Sequence, residues 1–512
     1  MEVGQEDRDT RLKDLCSRRL SGRRIILASN RGPIEYYLTE EGQLRSRRGS
    51  GGVVTALSSL GRYVELDWIA CAMGRGDREI AQKAQGKRFR APVKGDRLHL
   101  RFVFCPRDTY HKYYSVICNP LLWFLQHYMW NSPTTPNIDI ATHDAWEQGY
   151  VEVNRAFART IIEEVMRSES PPIVILNDYH LYLAADYLRR QMPDLVIQHF
   201  THIPWPSVSY WKLLPGYMRQ AIFRGLCAAD IVGLQTARDV HDFLHCCESC
   251  VDGAEVDYTR HTVKTEGHLT RVKVYPISID TAGIRKLLST PRLQEYEREL
   301  ASLCGERTII RVDRAEPSKN IIRGFKAFDI LLEHYPQFRG RVKFIAFLVP
   351  TRTHLRLYRR YMEEATQLIE AINSKYATRE WYPIDFFYEN NYVQALAGMR
   401  LYDVLLVNAV IDGMTLVAKE GPTVNDRDGV LVLSETVGAC EQLGAYALTV
   451  APADLEGTTE ALYQALMMPL EERKRRAGAL KESIEKENIT HWLLCLLEDA
   501  VSLIEERYSS ST

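Results

Sequence analysis

Asp403-Val404-Leu405-Leu406-Val407, followed after four residues by Asp412-Gly413-Met414-Thr415-Leu416-Val417-Ala418-Lys419-Glu420, reads as a buried strand, a glycine turn and the start of a helix. That order of elements predicts an α/β fold. A helix entered from a strand in this way aims its first unpaired N–H groups and the positive end of its dipole at whatever lies above the sheet. An anion is the natural guest. Glu420 stands five residues past Thr415, roughly 7.5 Å away along a helix rising about 1.5 Å per residue. A ligand lying on the helix start spans both places, and a phosphate site beside a diol-binding carboxylate points to a sugar nucleotide.

A second stretch complements the first. Arg314-Ala315-Glu316-Pro317-Ser318-Lys319-Asn320 follows the apolar run Thr308-Ile309-Ile310-Arg311-Val312. An Arg and a Lys at the mouth of a strand can converge on one diphosphate, the first as a two-pronged donor and the second as a point charge. The alternative is an ordinary solvated loop pair.

Around these stretches, short apolar runs alternate with amphipathic ones. Ile25–Ala28, Ile173–Leu176 and Val196–Phe200 read as strands in the first half, Val342–Phe347 and Val430–Leu433 in the second, while Val151–Met166 and Leu355–Tyr376 carry apolar residues at helical spacing. Parallel sheets covered by helices follow. With 512 residues and 46% hydrophobic content, two or three domains are expected. The extended run Tyr275-Pro276-Ile277-Ser278-Ile279-Asp280 marks the boundary between domains 1–280 and 281–485, and no short repeat or low-complexity tract is evident. Ligands of open parallel sheets bind beyond the carboxyl ends of the strands, so the active site is expected in the cleft between the two domains.

A net charge of −1 with dispersed Lys and Arg excludes a nucleic-acid polyanion as partner. No apolar stretch reaches the 18 or so residues of a membrane span, and Met1 to Arg24 lacks the apolar centre of a signal peptide, so a cytoplasmic protein with no membrane partner is expected. Cys246, Cys247 and Cys250 form the densest group among 11 cysteines. No second CxxC or His pair completes four metal ligands at usual spacing, and reduced structural thiols are expected.

Ser29-Asn30-Arg31, Gly51-Gly52, Tyr113-Tyr114 with Asn119 and Trp123, Asp178-Tyr179-His180-Leu181, His202-Ile203-Pro204-Trp205-Pro206 and Asp412 to Glu420 occur in the order found in trehalose-6-phosphate synthases, and the chain resembles that family over about residues 23 to 485. The resemblance implies a retaining glycosyltransferase of the GT-B fold, two Rossmann-like domains with the active site between them. It moves glucose from a nucleotide sugar, UDP-glucose first, to glucose 6-phosphate. Trp492 to Tyr508, within residues 486–512, would be the last helix crossing back to the first domain.

The resemblance implies residue roles that chemistry supports. Arg314 and Lys319 hold the nucleotide diphosphate together with the N–H groups near Leu416 and Val417, within the turn Gly413-Met414-Thr415 and its helix. Glu420 accepts from the ribose hydroxyls. Asp412 binds hydroxyls of the transferred glucose, and His202 contacts its 6-hydroxyl, although a His after an apolar strand is usually structural. Asp178 meets the acceptor sugar near the reacting hydroxyl, with the N-cap of a helix beginning near Tyr182 as its alternative role. Arg31 and Arg352 match the acceptor-phosphate positions, with Tyr114, Trp123 and Trp68 completing the pocket. Gly51 and Gly52 form a flexible loop suited to closing over phosphates.

No cofactor or metal is expected: Asp426-Arg427-Asp428 matches a metal-binding pattern formally but reads as a turn, and Arg314 with Lys319 supplies the charge a metal would give. Ile411 and Thr415 stand where Arg and Asn are usual, and Glu316 and Pro317 where an Asp and an aromatic are usual. These departures leave open a GDP- or ADP-sugar donor, and glycerol 3-phosphate or a cyclitol phosphate as acceptor. They also leave open a catalytically silent sugar-phosphate sensor. Small molecules are the expected partners, with a homo-oligomer left open. Because no Asp-x-Asp-x-Thr motif occurs, a separate phosphatase is expected to act on the product.

Overall fold

The computed structural model describes residues 5–20, 22–49, 57, 59–92 and 97–509. The chain divides into two compact units, Met1–Ile277 together with Thr490–Thr512, and Ser278–Ile489.

In the first unit the described strands are β1 (Ile25–Ser29), β2 (Ile34–Leu38), β3 (Leu44–Arg48), β4 (Leu66–Cys71), β5 (Phe89–Arg90) and β6 (Leu98–Val103). They continue as β7 (Ile173–Asn177), β8 (Val196–Phe200), β9 (Ile231–Leu234), β10 (Glu255–Asp257), β11 (Thr262–Thr265) and β12 (His268–Val274). Ten of them form one sheet in the order β10-β11-β12-β9-β8-β7-β1-β4-β6-β5, and β2 pairs with β3 in a separate hairpin. The run from β12 to β6 is parallel throughout, with antiparallel margins at β5 and at β10 and β11. Residues Ile25–Ala28 and Ile173–Asn177 are buried along their whole length, as strands covered on both faces must be, and they therefore read as unbroken apolar runs.

The helix Ile489–Ser509 packs on this unit. Gln198 Nε2 donates to the carbonyl of Leu496 at 2.8 Å, Trp492 Nε1 to that of Tyr275 at 3.2 Å, and Lys273 Nζ meets Asp499 at 3.0 Å. Another helical run widens to π geometry over Lys112–Trp123, with Pro120 inside it. Proline has no N–H for a regular α ladder, and wide turns of this kind re-aim side chains and gather at functional sites.

The second unit holds β13 (Arg307–Arg314), β14 (Val342–Val349), β15 (Ile384–Tyr388), β16 (Val404–Val407), β17 (Val430–Ser434) and β18 (Leu448–Val450). All six are parallel in the order β15-β14-β13-β16-β17-β18. This is the doubly wound Rossmann order, in which the chain first steps outward to one side and then returns to build the other. The first sheet repeats it, with β4 and β6 on one side of β1 and β7, β8 and β9 on the other. The second core gathers Phe325 and Phe328 against Phe344, with ring centroids 5.2 and 5.3 Å apart, and Leu331, Ile369 and Leu462 around them. Gly398, in the helix Tyr392–Arg400, lies so close to the Phe347 ring that a Cβ would collide with it.

Candidate functional site

In each Rossmann-like sheet the crevice opens where the strand order reverses. In the second unit that point lies between β13 and β16, and it brings the two stretches singled out in the sequence together. Lys319, 7% exposed, ion-pairs with Asp412. The Asp412 carboxylate also accepts from the Gly413 N–H at 2.9 Å and from Thr415 Oγ1 at 2.6 Å. The turn is pinned from behind by Gly438 N–H on the Asp412 carbonyl and Ala439 N–H on that of Met414, each at 3.1 Å.

Thr415 sits at φ 63°, a left-handed backbone that a β-branched residue adopts only when its surroundings impose it. Because of that kink the helix begins at Val417, two residues later than the sequence suggested, and runs to Val424. The spacing of a continuous helix from Thr415 to Glu420 therefore does not apply, and Glu420 lies in the first turn. The N–H groups of Leu416 and Val417 find no acceptor among the described residues. Glu420 accepts from the Tyr392 hydroxyl at 2.9 Å, and burial pushes its carboxyl up to about 6.

Arg314 is half exposed and anchors one edge on Glu316 at 2.8 Å. Glu316 is fully buried (0% exposed), and its other oxygen meets Arg352 at 3.1 Å. Arg352, at φ 45°, also donates to the Tyr358 hydroxyl at 2.7 Å. Expected on the acceptor phosphate with Arg31, Arg352 thus belongs to the second unit, where one carboxylate holds it and Arg314 together. Behind them Arg311, also 0% exposed, binds Asp313 at 2.8 Å and the carbonyls of Lys319 and Ile321 at 2.9 and 3.3 Å. It braces the backbone of the loop carrying Lys319. Asn320 completes that loop at φ 58°, donating to the carbonyls of Asn408 and Pro452 at 2.8 and 2.7 Å. The partners of Arg311, Glu316 and Tyr392 are not readable from the sequence; for Arg311 and Glu316 the signal is a charged residue inside or just after an apolar strand.

The first unit's reversal lies between β1 and β7. Arg31, just past β1, donates to the Tyr114 hydroxyl at 3.4 Å, and Tyr114 stacks on Tyr110 and His180. Asp178, just past β7, stands at φ 71°. Its Oδ1 accepts from the His202 N–H at 3.1 Å, and its side chain caps no helix. The next α-helix begins at Ala184.

His202 Nε2 faces Asn177 Oδ1 at 3.2 Å, while the Asn177 amide nitrogen faces the carbonyls of Ala28 and Ile175. The proton is thereby assigned to Nε2. Nδ1, buried and without a partner among the described residues, is left as an acceptor. Burial and then His199 push the ring down to about 3, so it stays neutral over the physiological range. Trp68 and Trp123 do not form open pocket walls, being 0% and 1% exposed. The Trp68 indole donates to Ser29 Oγ at 2.8 Å and Trp123 stacks on His127 at 3.9 Å. Both rings are packed in the interior of the first unit. Gly51 and Gly52 lie outside the described residues.

Cys246, Cys247 and Cys250 are buried on the helix Ala237–Cys250, with Cys247 Sγ 3.6 Å from Cys227 Sγ, and all 11 cysteines are unpaired. Asp426 ion-pairs with Arg400, and Asn425 Oδ1 accepts from the N–H groups of Arg427 and Gly429 at 3.1 and 2.8 Å, closing a turn. Among the described residues, Glu65, Asp67 and His99 are grouped closely enough to hold a metal ion. Asp67, however, is already engaged by Arg24 at 2.6 Å and Arg88 at 2.7 Å. Among the described residues no helix is long and apolar enough to cross a membrane.

Two Rossmann-like domains with polar side chains at both strand-order reversals define an α/β protein of the GT-B class. The model for Glycosyltransferase family 20 matches residues 23–502, and the chain belongs to this family. It is 28% identical over 480 residues to alpha,alpha-trehalose-phosphate synthase A, UDP-forming, of Dictyostelium discoideum, which covers 93% of this chain. The chain spans 62% of that relative's length. A structure described as trehalose-6-phosphate from E. coli bound with UDP-2-fluoro glucose superposes with a TM-score of 0.79 at 26% identity, covering 93% of this chain and 99% of that one. The alpha,alpha-trehalose-phosphate synthase (UDP-forming) from Burkholderia xenovorans in complex with glucose-6-phosphate also gives 0.79 at 26%, covering 94% and 100%.

Proposed function

We propose that the chain is a retaining glucosyltransferase that moves glucose from UDP-glucose to glucose 6-phosphate, releasing UDP and forming α,α-trehalose 6-phosphate. The observation that carries this is the Lys319–Asp412 pair beside a helix start whose Leu416 and Val417 N–H groups have no acceptor among the described residues, with Glu420 in the first turn. An ammonium has three donors. With one on Asp412, two remain for diphosphate oxygens, joined by the free edge of Arg314 and by the Leu416 and Val417 N–H groups. Asp412 then orients hydroxyls of the transferred glucose, and Glu420 accepts from the ribose diol.

In the first unit, His202 Nδ1 accepts from a sugar hydroxyl and Arg31 with Tyr114 receives the acceptor phosphate. Asp178, fixed by the His202 N–H, faces the acceptor sugar, with Trp68 and Trp123 as backing. Stabilisation of the departing diphosphate rests on Lys319, Arg314 and the helix start, with no metal required. The leaving phosphate takes the acceptor's proton, since no second carboxylate is assigned as base. Eleven unpaired thiols fit a reducing, cytoplasmic compartment.

The test is direct. Purified protein with UDP-glucose and glucose 6-phosphate releases UDP in the presence of a chelator, and mass and anomeric NMR identify the disaccharide phosphate. Absence of turnover with UDP-, GDP- and ADP-glucose alike would leave a sugar-phosphate sensor in its place. Turnover with a cyclitol phosphate or glycerol 3-phosphate in preference to glucose 6-phosphate would reassign the acceptor.

A further inference from the structure

A cavity of about 220 Å3 in the first unit is lined by Met73, Gly74, Arg75, Arg78, Arg107 and Tyr110. Met73 and Gly74 follow β4 and Arg107 follows β6, so the cavity opens at the carboxyl edge of the sheet, where parallel sheets bind ligands. Three guanidiniums line it, and among the described residues no carboxylate pairs with any of them. Elsewhere in this chain arginines are commonly paired: Arg24, Arg88, Arg101, Arg189, Arg311 and Arg473 each meet a carboxylate. The acids adjacent in sequence are engaged elsewhere: Asp77 is turned inward, accepting from the N–H groups of Gly74 at 3.0 Å and Tyr36 at 2.9 Å, Glu79 pairs with Lys83 at 2.7 Å and Asp108 with Lys112 at 3.0 Å.

Arg78 is fixed in place. It donates to the Cys105 carbonyl at 3.0 Å and lies over the Phe104 ring, 4.9 Å from its centroid. Its field reaches the Cys105 thiol, which is held below its ordinary value first by a hydrogen bond with Cys71 and then by Arg78 and Arg159. The helix Arg75–Lys83 starts at the cavity rim and adds the positive end of its dipole. Three like charges around one cavity repel unless an anion joins them. Tyr110 is the wall toward Arg31: its hydroxyl meets Asn30 Oδ1 at 3.3 Å and its ring stacks on Tyr114.

We propose that Arg75, Arg78 and Arg107 form a second anion site, separate from the Arg31 position, that takes the phosphoryl group of a phosphate ester. Bidentate guanidinium contacts suit its planar pairs of oxygens. The group arrives either as a second phosphate on a bisphosphorylated acceptor or on a separate small phosphorylated ligand. The site stands on charge and geometry and does not depend on the transfer reaction proposed above.

The test titrates inorganic phosphate by calorimetry into Arg31→Ala, with UDP present, and into the same protein carrying R75Q and R107Q. Both added changes fall on exposed side chains and leave the fold intact, which circular dichroism checks. The difference is expected to be about tenfold or more in affinity, the value of one charged hydrogen bond. Equal affinities, or no phosphate binding to Arg31→Ala, overturn the proposal. R78Q serves as an independent variant with the same expected loss.

In the unmutated chain, fructose 1,6-bisphosphate binding more tightly than glucose 6-phosphate, with the advantage lost in R75Q/R107Q, identifies an acceptor-borne phosphate. Phosphate binding on top of saturating glucose 6-phosphate, again lost in R75Q/R107Q, identifies a separate ligand. Neither pattern overturns the proposal. Turnover of UDP-glucose and glucose 6-phosphate by R75Q/R107Q is expected to persist, so failure of this site and failure of the transferase assignment are told apart.

Discussion

The two strand-order reversals share a topology and differ in how they hold their polar side chains. In the second unit charge is matched locally: Lys319 on Asp412, Arg314 and Arg352 on one buried Glu316, Arg311 on Asp313. In the first unit hydrogen bonds and rings do the same work, with Asp178 fixed by a backbone N–H, His202 by an amide, and Tyr114 between Tyr110 and His180. A crevice braced by ion pairs can release donors to a highly charged diphosphate. One braced by neutral contacts keeps its shape around a sugar, whose hydroxyls need fixed acceptors more than charge. The contrast teaches that topology sets where a site falls, and the bracing chemistry sets what it suits.

The sharpest way to break this contrast is Lys319→Ala. Removing one preorganised donor from the diphosphate is expected to cost on the order of 100-fold to 1000-fold in kcat, measured as UDP release; a loss below tenfold would show that Lys319 serves only to orient Asp412. Arg311→Met leaves Asp313 buried without its partner, at a cost of about 3–5 kcal/mol. Urea unfolding followed by hydrogen exchange is expected to place that loss in the second unit alone, and a uniform loss would contradict local bracing.

Glu316→Gln removes the negative charge shared by Arg314 and Arg352. A fall of about tenfold in kcat/KM is expected, since hydrogen bonds to charged groups contribute about 1.5–3 kcal/mol. An unchanged value would mean that the two guanidiniums are positioned without it.

The pH dependence should divide the two reversals. Glu420, raised to about 6 by burial, would in the proposed role accept from both ribose hydroxyls only when ionised, so donor affinity is expected to rise with pH through about 6 and to fall below it. His202, at about 3, stays neutral across this window and contributes no inflection. KM for UDP-glucose between pH 5 and 7.5 tests this, and Glu420→Gln is expected to flatten the curve. The smallest effect is expected from Thr415→Asn, which keeps a polar side chain near Asp412 while suiting the left-handed backbone. A gain of about 1 kcal/mol, or about 2–4 °C in Tm, is the expected outcome, and a lower Tm would show that the Thr415 hydroxyl bond outweighs the strain.

Much of this architecture was legible in the chain because strands buried on both faces leave an unbroken apolar record. Ile173–Leu176, Val404–Val407 and Val430–Leu433 are of that kind, and the Asp412-Gly413 turn after one of them marked the second crevice. What was not legible depends on neighbours distant in sequence. Arg311 sits inside an apolar run and gives no sign that it pairs with Asp313 and two carbonyls of the following loop. Glu316 looked like a mere departure from a pattern, since its second partner, Arg352, lies 36 residues on. The helix start was placed two residues early because a Thr in left-handed backbone defies its own propensity, and only the contacts pinning Asp412 and Met414 explain it. Trp68 and Trp123 carried family identity without exposing surface, a distinction that sequence does not encode.

Four of the corners that lead from strand ends toward the crevices, at Asp178, Asn320, Arg352 and Thr415, turn through positive φ without a glycine. A side chain at such a corner narrows the wandering of the unfolded chain and leaves the folded loop few alternative shapes. Substrates therefore meet loops already set in their working form, and little of the association energy goes into ordering them.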